Sequence, residues 1–120
     1  MSENFKVKPI GIVEKAGEVS EIQIYPEYHQ GLTAVVDYEK LMILFWLHLR
    51  DNPQDRSKMM TGRSRQGKAG YRGVFATHSP HRPNPIGVTI VDLVKVDEGR
   101  LYVKGFDAFE GTPIIDIKSA

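Results

Sequence analysis

Residues 88–106, VTIVDLVKVDEGRLYVKGF, constrain the fold more than any other stretch. Val88 to Val96 and Arg100 to Phe106 are rich in Val, Ile, Leu and Tyr, and a short turn containing Gly99 separates them. Two β-prone runs around such a turn make an antiparallel hairpin. The rest of the chain supplies further short runs of strand length. Val7 to Glu14 reads as a first strand, with Pro9 near its start where a missing donor is tolerable. Glu21 to Tyr25 (EIQIY) alternates polar and apolar residues, which predicts a half-buried strand. Leu41 to Leu49 predicts a central strand, Gly73 to Thr77 a short one and Ile114 to Ile117 a last one. Pro26 and Gly31 bracket a turn, and Leu32 to Glu39 fits a short helix or an irregular connection. Residues 51–71, rich in Arg, Lys, Ser and Gly, read as a long loop. Helical spacing is scarce, no βαβ unit is visible, and no GxGxxG follows a strand. The expectation is an all-β, mostly antiparallel barrel or sandwich, with short helical or irregular connections, over one domain spanning 1–120.

Composition narrows the function classes. The chain has 120 residues, 41% hydrophobic and 26% charged, which suffices for a packed core. The longest apolar run, Leu41 to Leu47, is too short to cross a bilayer, and MSENFKVK contains no apolar signal region. No membrane association and a cytoplasmic location are therefore expected. The absence of cysteine rules out disulfides, thiolate metal sites and a cysteine nucleophile. Net charge is only +1, yet no Asp or Glu occurs between Asp55 and Asp92. Arg56, Lys58, Arg63, Arg65, Lys68, Arg72 and Arg82 crowd that interval, which makes either a solvated basic loop or a surface for a polyanion.

The stretch GVFATHSPHRPNPIG, residues 73–87, holds most of the candidate chemistry. Pro80, Pro83 and Pro85 fix φ near −65° and push Ser79, Arg82 and Asn84 away from helical conformations. Polar side chains are thus presented from a stiff strip, as a preorganised site requires, or the strip is simply a rigid corner. His78 and His81 are three apart, but extended backbone turns such rings away from one another and no carboxylate is near in sequence, so no metal site is expected. His48 ends the apolar run. A second constellation is GFDAFEGTPIIDI, residues 105–117. Asp107 fits either a turn cap or an acceptor for a ligand's amine or hydroxyl. Asp116 sits between isoleucines and would need partners if it faced a core.

The two blocks together, GVFATHSPHRPNPIG and then DAFEGTPIIDIK, resemble the signature of the tRNA methyltransferase O family. The resemblance extends to IGIVEK and LMILFWLH and so covers most of the chain. It implies a small antiparallel β-barrel that binds S-adenosylmethionine (SAM) without a Rossmann fold, as a homodimer with the cofactor near the interface. The activity implied is N6-methylation of threonylcarbamoyladenosine at tRNA position 37. Carried over by position, cofactor contacts fall on His48, Leu49, Phe75, Ala76, Thr77, His78, Val88, Asp107, Ala108, Phe109 and Glu110. Asp107 would orient the cofactor or accept a proton, with His78 and Glu110 as further candidate bases. Lys58, Arg63, Arg65, Lys68, Arg72, Arg82 and Asn84 would contact tRNA, and Tyr71 could stack a base.

The chain departs from the family pattern at three places. The family's arginine is His78 here, which lacks the guanidinium fork, so Arg82 or Arg72 would supply the cation. The segment between Glu14 and Glu21 is short and lacks a Pro-Arg-Gln stretch, and the family's DIKPY is DIKSA, without the bacterial C-terminal extension. Two other readings accommodate these departures: a SAM-dependent methyltransferase of another substrate, and a non-catalytic RNA- or ligand-binding barrel.

Overall fold

The chain forms the strands β1 (Gly11–Lys15), β2 (Val19–Ile24), β3 (Lys40–Trp46), β4 (Met60–Arg63), β5 (Ala69–Gly73), β6 (Ile86–Asp97), β7 (Arg100–Lys104) and β8 (Pro113–Ser119). These come from a computed structural model that describes residues 3–63 and 69–120, and the side chains outside 63–71. Six strands close into a barrel in the order β1-β2-β7-β6-β3-β8, and β4 and β5 pair separately. The β1–β2, β1–β8, β2–β7, β3–β8 and β6–β7 pairings are all antiparallel. The expected all-β antiparallel barrel is what the chain forms.

The chain divides into two units, Met1–Phe45 with Val88–Ala120, and Trp46–Gly87. In the first, alternate residues of β1, β2, β3 and β7 enter the core with single residues of β6 and β8: Val13, Ile22, Ile24, Leu41, Ile43, Leu101, Val103, Val91 and Ile114 are each no more than 2% exposed. Burial of each such side chain contributes about 1.5–3 kcal/mol. Phe45 and Phe106 meet edge to face with centroids 5.2 Å apart. The β6–β7 hairpin turns through Glu98 and Gly99, with φ of 49° and 78°. Positive φ at both central residues is the geometry that matches the twist of two paired strands. Asp116 faces outward rather than into the core: its carboxylate accepts from the Ile117 amide and lies 3.6 Å from Lys118.

Four local expectations change. β1 starts at Gly11, after the Ile10 amide has already bonded the Ile114 carbonyl. Residues 26–37 form 3-10 turns over Pro26–Leu32 and Val35–Asp37, with left-handed Ala34 between them. The strand expected over 73–77 ends at Gly73, and Val74–Ala76 is a 3-10 turn. Its physical reason is that Val74 is buried while Phe75 and Ala76 both face solvent, so no strand-period alternation exists to pack. The loop expected over 51–71 instead contains the short helix α1 (Pro53–Arg56) and the β4–β5 pair. Asn52 caps α1 by accepting the Asp55 amide, and Pro53 occupies the first turn, where its missing N–H is harmless.

Candidate functional site

In the Trp46–Gly87 unit, the proline strip has no regular secondary structure and satisfies its polar groups one at a time. Thr77 Oγ1 accepts the Ser79 amide at 3.1 Å and Ser79 Oγ accepts the His81 amide at 3.3 Å. Arg82 folds back, donating from Nη1 to the carbonyls of Thr77 and Ser79. At the far end the Leu47 amide donates to the Pro85 carbonyl at 2.7 Å, and the Ile86 amide to that of Asn84. The prolines remove three donors from this stretch, and the carbonyls of Thr77, Ser79, Asn84 and Pro85 take their donors from Arg82 and from backbone amides.

Of the expected cofactor residues in this unit, Leu49 and Phe75 are 64% and 77% exposed. His48, Ala76 and His78 are also exposed, while Thr77 is half-buried. Phe75 and Ala76 are held outward because Val74 beside them is locked: it is 1% exposed and donates its amide to the Met59 carbonyl. Among the expected tRNA residues, Lys58 and Asn84 are exposed, and Arg72 and Arg82 are half-buried. Arg72 Nε is buried without a partner among the described residues. Arg65 and Lys68 lie outside the described residues, as do the side chains of Arg63 and Tyr71.

Sequence reasoning missed a set of supports in the same unit. Trp46 Nε1 donates to Asp51 at 3.0 Å, Arg56 Nη1 donates to the same carboxylate at 2.9 Å, and Arg56 Nε donates to the Pro83 carbonyl at 2.8 Å. Arg56 Nη2 also reaches Asn84 Oδ1 at 3.4 Å. Asn52 Nδ2 donates to Asp55, and His81 Nδ1 lies 2.5 Å from the other oxygen of that carboxylate. The Trp46 indole and then Arg56 hold Asp51 below the usual carboxylate range. Asn52 first, and His81 with it, do the same for Asp55. The Asn52-Pro53-x-Asp55 spacing, a capping pattern, was the available signal for the helix that carries these groups.

In the other unit, Asp107 to Glu110 form the turn before β8. Gly111 at φ 87° lets this turn reverse, and its amide donates to the Val13 carbonyl at 2.8 Å. The Ala16 amide donates to Glu110 Oε1 at 3.4 Å, which ties the turn to the short connection between β1 and β2. Ala108 and Thr112 are buried and anchor the turn, whereas Phe109 is 68% exposed. Asp107 and Glu110 are exposed too. Val88 is 40% exposed and projects from β6 with Ile90, 55% exposed. A separate cavity of about 540 Å³ in this unit is lined by Ile10, Tyr28, Ala34, Leu41 and Asp116 among others, and by none of the expected cofactor residues. Among the described residues, no group of three or more His, Cys, Asp or Glu is placed to hold a metal ion. Among the described residues, no helix is long and apolar enough to cross a membrane.

A family model described as the tRNA-methyltransferase O N-terminal domain matches residues 4–119. The chain belongs to the tRNA-methyltransferase O family. A probable S-adenosyl-L-methionine-binding protein of Methanocaldococcus jannaschii is 34% identical over 114 residues, covering 95% of this chain and 90% of its own length. The human tRNA (adenine(37)-N6)-methyltransferase is 36% identical over 96 residues, covering 80% of this chain but 21% of that protein. The crystal structure of TrmO from Pseudomonas aeruginosa superposes with a TM-score of 0.75 at 26% identity, over 98% of this chain and 56% of that one. This member of the tRNA-methyltransferase O family thus spans nearly the whole of an archaeal relative and a fraction of the mammalian and bacterial ones. The resemblance read from the two signature blocks is borne out.

Proposed function

We propose that this chain binds SAM and transfers its methyl group to N6 of adenine 37 in tRNA, with threonylcarbamoyladenosine as the acceptor nucleoside. The observation that carries the reading is the family match over residues 4–119, which includes both signature blocks. Relatives named for SAM binding and for adenine-37 methylation support its two halves. SAM supplies a methyl already activated on a sulfonium, so the protein's tasks are to bind, align and exclude water.

The residues present suit those tasks. SAM offers a cationic amino-acid end, ribose hydroxyls and a flat adenine. Exposed carboxylates at Asp107 and Glu110 are acceptors for the ammonium or the hydroxyls, and exposed rings at Phe75 and Phe109 offer stacking faces. His48, Leu49, Ala76, Thr77, His78, Val88 and Ala108 complete the proposed contacts, and Asp107 or His78 takes the N6 proton. Lys58, Arg63, Arg65, Lys68, Arg72, Arg82 and Asn84 hold the tRNA backbone, and the enzyme works in the cytoplasm. A homodimer is part of the proposal, supported by the outward apolar residues Val88 and Ile90 on β6.

The test is mass spectrometry of nucleosides from tRNA incubated with the protein and SAM. The expected product is the N6-methylated form of threonylcarbamoyladenosine. Methylation of another nucleoside would point to a different substrate, and binding of SAM without any product would point to a non-catalytic barrel. Absence of SAM binding by a folded sample would overturn the whole reading.

A further inference from the structure

Within the Trp46–Gly87 unit, the proline strip is fastened to α1 by two neighbouring residues. Arg56 Nε reaches the Pro83 carbonyl, and Asp55 meets the His81 ring. The Asp55–His81 contact lies at the middle of the strip, four residues beyond Thr77 and three before Asn84. Its carboxylate is itself clamped, since Asn52 both donates to Asp55 Oδ2 at 2.7 Å and accepts the Asp55 amide at 2.8 Å. With a carboxylate as acceptor, His81 Nδ1 carries the proton of this bond. The histidine's amide is fixed as well, on Ser79 Oγ. Ring and backbone of His81 are thus both held, between Pro80 and Pro83. The charged groups around the pair are Arg50, which acts on Asp55, Arg56, bound to Asp51 and Pro83, and Arg82, bound to Thr77 and Ser79.

We propose that Asp55 and His81 are positioning residues: their hydrogen bond sets the place of the 77–84 strip and thereby the affinity for SAM. This rests on the reading of the chain as a SAM-dependent methyltransferase. Thr77 and His78 of the expected cofactor set lie within four residues of His81, and Arg82 and Asn84 of the expected tRNA set within three, so release of the ring loosens the cofactor contacts of the strip along with its tRNA contacts. Preorganisation acts on binding, because an ordered strip loses little entropy when ligand arrives. With Asp107, outside the strip, as the base, the effect therefore falls on KM for SAM and leaves kcat at saturation nearly unchanged.

The test compares His81→Phe with His81→Asn in the full chain. The phenyl ring removes the donor, whereas the asparagine amide places one close to where Nδ1 stood. H81F should raise KM for SAM about tenfold, the factor a charge-assisted hydrogen bond of ordinary strength carries, with kcat within about twofold. H81N should restore KM to within about threefold of the parent. Hydrogen exchange at the amides of Ser79, His81, Arg82 and Asn84 should quicken in H81F and slow again in H81N. Should H81F fail to fold, His81→Gln, whose amide overshoots Asp55, takes its place. An unchanged KM in the donor-free variant overturns the proposal, as does a loss of kcat shared by H81N at unchanged KM. If the parent protein binds no SAM, the functional reading falls, and the exchange pattern alone decides whether the pair positions the strip.

Discussion

Replacing Gly99 with alanine tests how the β6–β7 hairpin is held. Gly99 sits at φ 78°, where an L side chain strains the backbone by about 1–2 kcal/mol. The added Cβ would also lie 2.3 Å from Cε1 and Nε2 of the His29 ring. That ring cannot swing away freely, because its Nε2–H donates to the Ile24 carbonyl at 2.6 Å. Displacing it forfeits a hydrogen bond with a net worth of about 0.5–1.5 kcal/mol. The Ile24 amide is meanwhile tied to the Gly99 carbonyl at 2.9 Å, so the clash cannot be relieved by sliding the turn without loosening β2. The two contributions sum to about 1.5–3.5 kcal/mol, a fall in Tm of roughly 10 °C for a chain of this size. Urea and thermal unfolding followed by circular dichroism would measure it. In a His29→Ala background the ring is gone, so G99A should cost only the backbone strain, leaving a coupling of about 1 kcal/mol between the two sites. A G99A protein within about 0.5 kcal/mol of the parent, or equal costs in both backgrounds, would refute the argument.

Three further outcomes follow from the same geometry. Ile22→Ala, at a fully buried position, should destabilise the barrel by about 2–5 kcal/mol in denaturant unfolding. Asp51 and Asp55 are held below the ordinary carboxylate value of 3.8, so their stabilisation is complete above that value and is lost only as pH falls through their lower folded values. Exchange protection of the proline strip should accordingly decline as acid below that value protonates the two carboxylates. Substituting Lys58, Arg63, Arg65 and Lys68 together should flatten the salt dependence of tRNA binding by about 3 in the logarithmic slope, and an unchanged slope would remove these residues from the interface.

Much of the barrel was legible because its strands obey a two-residue period. Ile22 and Ile24, Leu41, Ile43 and Phe45, and Leu101 and Val103 alternate with outward residues, and the sequence pattern alone picks them out. The segment 51–71 was misread because α1 has one turn and no apolar stripe, and because the β4–β5 pair runs through Gly62, Gly70 and arginines rather than β-branched residues. GVFAT looked like a strand because Val and Phe are β-prone, but a single buried valine cannot fix a pleat. At the candidate site, the signature blocks stood out by composition, whereas the partnership of Asp55 with His81 did not. The two residues are 26 apart, and only the path of the chain through α1 and the proline corner brings them within hydrogen-bonding distance.

The cylinder is not equally strong all the way round. β2 and β7 run in register through five pairs, from Val19↔Lys104 to Gln23↔Arg100, but β1 and β8 share two, Gly11↔Ile114 and Ile12↔Pro113, with the Ile10 amide bonded to the Ile114 carbonyl beside them. Native-state breathing should therefore part that seam before the β2–β7 one. While it is parted, two raw strand edges face water, and the protein has for that moment the stickiness that a closed sheet otherwise denies it.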